Sequence, residues 1–404
     1  MNLEFKTLEA CCISIADGDH QPPPKSESGI PFVTISNISS NQFDFSNTMF
    51  VPIEYYSNLD EKRKPRKGDI LYSVVGSFGI PVLIKDDAPF VFQRHIAILR
   101  PNPQIIDSRF LFYTMLSCGF YAKADAAAIG AAQRTISLSS LRSIKILLPS
   151  LSVQKHIADI LSAYDDLIEN NQKQIKLLEE AAQRLYKEWF VDLRFPGWEN
   201  TKIVDGVPEG WEKTTISSVS SILRRGISPK YNDNATFTVI NQKCIRQTIV
   251  DFSESRKQEK TFSSEMALID SDTVVCSTGA GTLGRVGQIF GSPTNATFDS
   301  HVTLVRTNGR IGAQLLFQSL KDQQTYLQDS GKGSTNQLEL SRTTIAECPV
   351  FIPSEPVSKH FEVLVQSIHD LISKISQSVL SLQNSKDMML SKLMSENTEE
   401  HHAS

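Results

Sequence analysis

The fold is decided by the stretch at residues 148–197, which reads LPSLSVQKHIADILSAYDDLIENNQKQIKLLEEAAQRLYKEWFVDLRFPG. Ser152 is the predicted N-cap after Pro149, and Pro196-Gly197 ends the helix. Between these signals, apolar residues recur alternately three and four positions apart, a pattern typical of a coiled-coil seam. The stretch therefore predicts one helix of about forty residues, roughly 60 Å long.

The same seam recurs about 204 residues later, near the end of the chain. Helices of this length exceed the width of a small domain, so we predict that the two pair as an antiparallel coiled coil. The alternative is that each helix packs on its own globule. Asn171 is a polar seam residue that we interpret as fixing register, and Lys386 stands in the second seam where Ala182 stands in the first. The predicted seam comprises Ile157, Leu161, Tyr164, Ile168, Asn171, Leu178 and Trp189 in the first helix and Phe361, Val365, Ile372 and Leu382 in the second.

The rest of the sequence is duplicated at a similar spacing. Short runs rich in β-branched residues, bounded by Gly, Pro and Asn, predict strands in each copy. We predict an α+β (mixed α/β) fold in which two globular domains are joined by two long antiparallel coiled-coil helices, with a pseudo-twofold repeat. Matched positions are Gly18 with Gly226, Asp69 with Asp272, His95 with His301, and Arg100 with Arg306. The predicted segments are globular domain 1 at 1–150, the central helix at 151–197, globular domain 2 at 198–354, the distal helix at 355–394 and a disordered tail at 395–404.

Composition is that of a globular protein. The 404 residues carry a net charge of -4, with 40% hydrophobic and 21% charged residues, which is too apolar for a disordered chain. No apolar run reaches the ~18 residues that span a bilayer, and the N-terminus contains acids, so we expect a cytoplasmic protein. The 6 cysteines form no C-x-x-C pair and are interpreted as reduced packing residues, without a metal site.

Two glycine-rich segments could be mistaken for dinucleotide-binding motifs. Residues 279–284, GAGTLG, fit G-x-G-x-x-G, but strand-like sequence follows them, and the counterpart at 76–79 precedes Ile80-Pro81. We predict hairpin turns beside a groove rather than a dinucleotide site. The sequence contains no P-loop, H-E-x-x-H or G-x-S-x-G motif and no Asn-Pro-Pro-aromatic element like that of amino-methyltransferases. His95 and His301 are interpreted as structural residues at strand starts in preference to DNA contacts.

Several side chains have the chemistry needed to contact nucleic acid. Residues 62–67 read KRKPRK and could neutralise phosphates. A solvated loop without a role in binding explains this run equally well. Asn and Gln can bind adenine and Arg can bind guanine through two hydrogen bonds. The candidate DNA-binding residues are Arg63, Lys64, Arg66, Lys67, Gln133, Arg134, Arg224, Arg225, Lys230, Asn241, Gln242, Lys243, Arg285, Asn336 and Gln337.

The sequence around the central helix resembles that of a known family. The runs LPSLSVQKHIADIL at 148–161, DDLIENN at 165–171 and LYKEWFVD at 185–192 resemble the central conserved region of the specificity (S) subunit of Type I restriction-modification systems. The segments PEGW at 208–211 and GST at 333–335 are also similar to the family's pattern. The resemblance covers the whole chain, in the order target-recognition domain, conserved helix, target-recognition domain, conserved helix.

The resemblance implies a DNA-binding subunit without catalysis of its own. Each target-recognition domain would bind one half of a split, asymmetric site in double-stranded DNA, and the helices would set the gap. The helices would also dock two methyltransferase (M) subunits, which two motor-nuclease (R) subunits join. S-adenosylmethionine, ATP and Mg are expected on those partners and no cofactor on this chain. The alternatives are a DNA-modifying enzyme with a cryptic site, methyltransferase or nuclease, and a coiled-coil scaffold without a role on DNA.

Overall fold

The computed structural model describes residues 4–18, 23–39, 41–130, 133–291, 293–333 and 338–399. The chain divides into two compact units. The first unit consists of Met1–Glu169 and Leu380–Ser404, and the second of Asn170–Val379. The last segment of the chain therefore belongs to the same unit as its beginning.

The first unit consists of short strands and helices, as its β-branched runs and turn residues predict. Its strands are β1 (Glu4–Thr7), β2 (Cys12–Asp17), β3 (Ile30–Val33), β4 (Ile38–Ser39), β5 (Gln42–Phe43), β6 (Met49–Val51), β7 (Ile70–Ser73), β8 (Pro81–Leu83), β9 (Val91–Phe92), β10 (Ile96–Pro101) and β11 (Lys145–Leu148). Its helices are α1 (Leu8–Cys11), α2 (Ile53–Ser57), α3 (Ser108–Leu116), α4 (Cys118–Ala127), α5 (Leu138–Ser143), the first part of α6 (Leu151–Tyr186) and the last part of the helix Glu355–Glu399.

The second unit contains the remaining elements. Its strands are β12 (Ile203–Val204), β13 (Val207–Pro208), β14 (Glu212–Thr215), β15 (Ser220–Arg225), β16 (Phe237–Ile240), β17 (Arg256–Gln258), β18 (Thr273–Cys276), β19 (Val286–Gln288), β20 (Ala296–Phe298), β21 (Val302–Thr307) and β22 (Pro349–Ile352). Its helices are the last part of α6, α7 (Ala313–Asp322), α8 (Gln324–Asp329), α9 (Arg342–Ala346) and the first part of α10 (Glu355–Glu399).

The two units contain equivalent sheets. The sheet β2-β10-β7-β8 of the first unit corresponds to β15-β21-β18-β19 of the second, and neighbouring strands are antiparallel in both. The sheets β6-β3-β9 and β17-β16-β20 each combine one antiparallel and one parallel pair. The strand that precedes each long helix also has an equivalent partner in the two units. β11, before α6, pairs with β1, and β22, before α10, pairs with β14. The sequence repeat is therefore a repeat of fold, which confirms the prediction.

A buried ion pair is present at the same place in both units. Arg100 Nη2 donates to Asp69 Oδ2 at 2.8 Å, and Arg306 Nη2 donates to Asp272 Oδ2 at 2.6 Å. Each aspartate also accepts a hydrogen bond from the backbone N–H of the residue 3 positions before it. Both aspartates are almost inaccessible to solvent, so these bonds offset the cost of burying the charge. The pair joins the turn that precedes β7 or β18 to the neighbouring strand.

Gly18 and Gly226 also occupy equivalent places, where two backbone segments touch. A Cβ atom on Gly18 would lie 2.3 Å from the carbonyl oxygen of Phe92, and one on Gly226 would lie 2.1 Å from that of Phe298. A side chain at either glycine would push its backbone away from the segment that contains Phe92 or Phe298. Close backbone approach therefore explains why glycine recurs at this spacing.

The two long helices pack against each other within the second unit. The ring centroid of Phe361 of α10 lies 6.3 Å from that of Tyr186 at the end of α6. Asn171 of α6 lies opposite Ser378 of α10, with Nδ2 3.5 Å from Oγ. Since residue numbers rise along α6 and fall along α10, the pair is antiparallel, as the seam predicts.

In the first unit both helices share one apolar cluster with the globule. Leu161 of α6 is fully buried in a cluster that also contains Phe110 of α3, and Met389 and Leu393 of α10 pack against it. The two packing arrangements considered from the sequence therefore occur together. Every predicted seam residue is buried or half-buried.

The helix ends differ from the sequence prediction. α6 begins at Leu151, and the carbonyl of Ser150 accepts from the N–H of Gln154 at 2.9 Å, so Ser150 occupies the cap position and Ser152 is already helical. After Tyr186 the helix widens into a π-turn at Lys187–Val191, which buries both Trp189 and Phe190.

The distal helix is longer than predicted. α10 continues to Glu399, beyond the predicted end at 394, because no Pro or Gly follows to stop it. Residues 395–399, assigned to the tail from the sequence, are therefore helical, and residues 400–404 lie outside the described residues.

Other predictions from the sequence have mixed outcomes. Among the described residues, no helix combines the length and apolar character that crossing a bilayer requires. Cys11, Cys244, Cys276 and Cys348 are buried, and burial raises the pKa of the Cys276 thiol to about 12. Cys118 is exposed at the first position of α4, so its interpretation as a packing residue is wrong.

Candidate nucleic-acid interface

The basic run at residues 62–67 lies on the turn that leads into β7. Lys64 Nζ lies 2.7 Å from Glu61 Oε1, and Arg66 Nη2 lies 2.5 Å from Glu61 Oε2. The hydrogen bonds from Lys64 and Arg66 lower the pKa of the exposed Glu61 carboxyl. Two of the bases are therefore balanced by one acid of the same loop.

The remaining bases of this run differ in their surroundings. Arg63 Nη2 lies 3.5 Å from Asp17 Oδ1 of β2. Lys67 is exposed, and its backbone N–H donates to Asp87 Oδ1 at 2.8 Å, which holds the loop in place. The Lys62 and Lys67 side chains are the best placed of the predicted phosphate contacts in this run, because both are exposed and neither ammonium forms an ion pair with a described residue.

Two predicted base-contacting arginines form ion pairs with acids of neighbouring segments. Arg134 donates to Asp125 Oδ1 from both Nε at 2.9 Å and Nη2 at 2.6 Å, and it also bonds the Asp125 carbonyl. Arg225 pairs with Glu339 and donates to the carbonyl of Leu340 at 2.6 Å. Both guanidinium groups bond neighbouring backbone and carboxylate groups, which joins the segments on which these residues lie.

Arg224 and Lys230 are more accessible. Arg224 lies 3.6 Å from Glu265 with its side chain 48% exposed, and Lys230 pairs with Glu259 with its side chain 78% exposed. The hydrogen bond from Lys230 lowers the pKa of Glu259. Exposed ion pairs of this kind contribute little to stability and can exchange a carboxylate for a phosphate.

Asn241 is not available to a base edge. Its side-chain oxygen accepts from the backbone N–H of Lys243 at 2.8 Å, and its Nδ2 donates to the carbonyl of Glu254 at 3.4 Å. Asn241 is buried because it caps the short 3-10 helix Gln242–Cys244. The cap presents Gln242 half-buried and Lys243 exposed.

The glycine-rich segment at 279–284 is a hairpin turn, as predicted. It joins the antiparallel strands β18 and β19, and Gly279, Gly281 and Gly284 all have positive φ, at 104°, 75° and 74°. Its counterpart at 76–79 joins β7 to β8. These conformations suit glycine and differ from a strand-to-helix phosphate loop.

Side chains from three segments meet beside this hairpin. Thr278 Oγ1 lies 2.6 Å from His301 Nδ1 and donates to Gln242 Oε1 at 3.5 Å. His301 is exposed immediately before β21, where the sequence led us to interpret it as a structural residue. Its recurrence at the position of His95 was the available sequence signal, whereas Thr278 gave none.

One acid next to this site is unusually buried. Asp299 is almost inaccessible and accepts from the backbone N–H of His301 at 2.9 Å. Burial raises the pKa of its carboxyl to about 6. The carboxylate helps hold the turn before β21, on which His301 lies.

Four further DNA-binding candidates were predicted from the sequence. Arg285 is half-buried after the hairpin, and Gln133 is exposed in the first unit. Asn336 and Gln337 lie outside the described residues. Among the described residues, no three His, Cys, Asp or Glu side chains gather in a group that could hold a metal ion.

Comparison with known proteins relates part of the chain to a family. Residues 20–180 match the family model described as the Type I restriction modification DNA specificity domain. This stretch is therefore similar to a Type I DNA specificity domain. The matched range covers most of the first globule and the beginning of the coiled coil.

Relatives extend the similarity to most of the chain. The chain is 23% identical over 340 residues to the Type I restriction enzyme MjaIX specificity subunit of Methanocaldococcus jannaschii, covering 81% of this chain and 77% of that protein. It is 23% identical over 444 residues to the HindI specificity subunit of Haemophilus influenzae, covering 90% and 93%. The crystal structure of the S subunit from M. genitalium shares the fold, with a TM-score of 0.59 at 16% identity over 98% of this chain and 96% of that chain.

Proposed function

We propose that the chain is the sequence-specific DNA-binding subunit of a Type I restriction-modification complex and catalyses no reaction itself. The observation that carries the proposal is the duplicated scaffold, in which equivalent sheets present different exposed side chains. Two diverged copies of one binding fold suit a bipartite, asymmetric site, since each copy would bind its own half. The similarity to specificity subunits supports the same function.

The paired helices would set the distance between the two half-sites. A helix rises about 1.5 Å per residue, so a coiled coil makes the separation a fixed property of the protein. The buried seam residues on α6 and α10 support this role, because they hold the two helices in one register.

The same helices would dock two methyltransferase subunits. α10 exposes Leu371 at 46%, Leu380 at 55% and Met388 at 74%, and α6 exposes Leu177 at 64%. Apolar side chains on the outside of a helix pair suit a further protein partner. We expect S-adenosylmethionine, ATP and Mg on the methyltransferase and on two motor-nuclease subunits, and we expect the complex in the cytoplasm.

Two rival functions predict different behaviour. A DNA-modifying enzyme with a cryptic site would methylate or cut DNA when the purified chain is given S-adenosylmethionine or Mg²⁺. A coiled-coil scaffold would bind DNA weakly, without sequence preference and with little dependence on salt.

Selection from a randomised duplex library tests the proposal. The full chain, alone and co-expressed with the methyltransferase subunits of its own genome, should enrich a split, non-palindromic sequence. Exchanging residues 1–150 for those of another family member should change one half of that sequence only. Binding without any enriched sequence, or turnover by the chain alone, would overturn the proposal.

A further inference from the structure

We infer that one equivalent corner in each unit contacts a base edge, and that the two corners differ in chemistry so that they prefer different bases. The second-unit corner consists of Gln242, Thr278 and His301. The first-unit corner consists of Ile35, Val75 and His95. This inference rests on the proposed function and assigns part of the sequence preference to named residues.

The second-unit corner is a short hydrogen-bonded chain. In the tautomer of His301 that carries its proton on Nδ1, the Thr278 oxygen accepts from that nitrogen, 2.6 Å away, and the Thr278 hydroxyl donates to Gln242 Oε1 at 3.5 Å. This arrangement leaves the Nε2 amide of Gln242 as a donor and the Nε2 atom of His301 as an acceptor. The corner therefore presents one donor and one acceptor at its two ends.

The first-unit corner lies at the same place in the fold. Val74 N donates to the carbonyl of His95 at 2.9 Å, as Ser277 N donates to that of His301 at 2.8 Å. Val75 bridges to Thr135 as Thr278 bridges to Glu339, each pair antiparallel.

The third member of each corner also occupies an equivalent position in the fold. Ile35 and Gln242 each begin a short 3-10 helix that follows the central strand of the smaller sheet, β3 or β16. A Cβ atom on the first hairpin glycine would lie 3.8 Å from Ile35 Cδ1 at Gly76 and 3.0 Å from Gln242 Oε1 at Gly279. The scaffold is therefore equivalent while two of the three side chains change from polar to apolar.

The chemistry of each corner fits a different base edge. One donor next to one acceptor complements adenine in the major groove, which presents an N7 acceptor and an N6 donor. Ile35 and Val75 have no side-chain polar group and suit the methyl group of thymine. Exposed Lys243 beside the second corner and exposed Arg94 beside the first are placed to contact phosphates without reading sequence.

Reciprocal transplants test the inference in the full chain, with the randomised duplex library as the probe. Q242I/T278V places the first-unit residues in the second unit, and I35Q/V75T does the reverse. Each exchange inserts side chains that the equivalent backbone already accommodates. Thermal unfolding of each variant, together with the single variant T278V, verifies that the protein remains folded.

Each double variant should change the preferred base at one position in one half-site. The wild-type discrimination at that position should fall by about tenfold to a hundredfold, and the other half-site should be unchanged. K202A alters an exposed residue of the second unit outside the corner and should leave both halves unchanged.

The outcomes separate the inference from the proposed function. If the wild-type chain enriches no sequence, the proposed function fails. If the wild-type chain enriches a sequence and the folded variants enrich the same one, or lose affinity equally for all sequences, the inference fails and the proposed function stands.

Discussion

Lys386 of α10 donates to Asp165 of α6, with Nζ 2.5 Å from Oδ1, and Lys386 stands at the seam position that Ala182 occupies in the first helix. The Tyr113 hydroxyl donates to the other oxygen of the same carboxylate at 2.6 Å. The side chains of Lys386 and Asp165 are only 18% and 30% exposed. A partly buried pair of this kind fixes register, because sliding one helix along the other would leave a charge without its partner.

Replacing Lys386 by Met should therefore destabilise the protein. We expect the free energy of unfolding to fall by about 1–3 kcal/mol, because among the described residues Tyr113 would be the one remaining hydrogen-bond partner of the Asp165 carboxylate. Asp165→Asn should cost a similar amount, and the double variant should cost less than the sum. Urea unfolding of the four proteins measures the coupling.

Strictly additive losses in that cycle would show that the two residues act independently. Lys176→Ala is the matched control, since its ammonium lies 3.9 Å from Glu180 with the side chain 77% exposed. This substitution should change stability by less than about 0.5 kcal/mol.

Asn171 should behave in the opposite way. Its only hydrogen bond to a described side chain spans 3.5 Å to Ser378, and the corresponding residue of the second helix is Ile375. Asn171→Leu should leave stability unchanged or raise it by up to about 1 kcal/mol, since an apolar seam residue replaces a polar one.

Thermal unfolding provides the measurement for Asn171→Leu. A large loss of thermal stability would show that the amide stabilises the pair and does not merely fix its register. Ile372→Asn, at a fully buried seam position, should by contrast lose about 2–4 kcal/mol.

The sequence predicted the repeated framework because its signals are local. The seam spacing around Leu161 and Phe361 and the recurrence of Asp69 and Asp272 depend on residue type and spacing alone. The hairpin at Gly279 was predictable for the same reason, since glycine clusters permit positive φ.

The candidate site was less predictable because its partners are distant in the chain. Arg225 meets Glu339 across 114 positions, and nothing near either residue announces the pair. Asn241 looked like a base-contacting residue because its role as a cap depends on backbone geometry. Thr278 acquires its meaning only where the fold brings it to His301.

Gly226→Ala should be strongly destabilising for a steric reason. The new methyl group would lie 2.1 Å from the carbonyl oxygen of Phe298, and backbone cannot move aside as a flexible side chain can. We expect a loss of about 2–5 kcal/mol, measured by chemical unfolding.

The control for that substitution is Gly119→Ala. Gly119 lies in α4, and a Cβ atom there would meet nothing within 4 Å. The substitution should be neutral or stabilise by up to about 1 kcal/mol, because alanine favours helix. Equal effects at the two glycines would contradict the close-approach explanation.

His369 should make stability depend on pH. Its ring is almost fully buried between Phe290 and Phe317, with Nε2 3.3 Å from Gln318 Nε2. Burial lowers the pKa of this histidine from 6.5 to about 4, with only a partial opposing effect from Asp370. As pH falls through this interval, the unfolded chain takes up a proton that the folded protein does not.

The contribution of His369 to stability is therefore fully present above about pH 6.5, falls as pH drops toward 4 and levels off below that. The loss over this interval should be about 3 kcal/mol. His369→Phe should lack this component, and subtracting its pH profile from that of the wild type removes the contributions of Asp299 and the other acids. His156→Gln, at an exposed position of α6, should retain the wild-type profile; parallel profiles for wild type and His369→Phe would refute the prediction.

Lengthening the coiled coil should lengthen the gap in the DNA site. Inserting one heptad into α6 within residues 171–180, with a matching heptad in the facing part of α10, preserves the seam and adds about 10 Å, or roughly three base pairs. Library selection should then enrich the same two half-sites separated by about three more base pairs, since the insertion alters neither globule. Lys176→Ala, which changes the same stretch without changing its length, should retain the wild-type gap. If the lengthened protein folds and enriches the original spacing, the helices do not set the distance, and the gap must then be determined by the DNA or by the partner subunits.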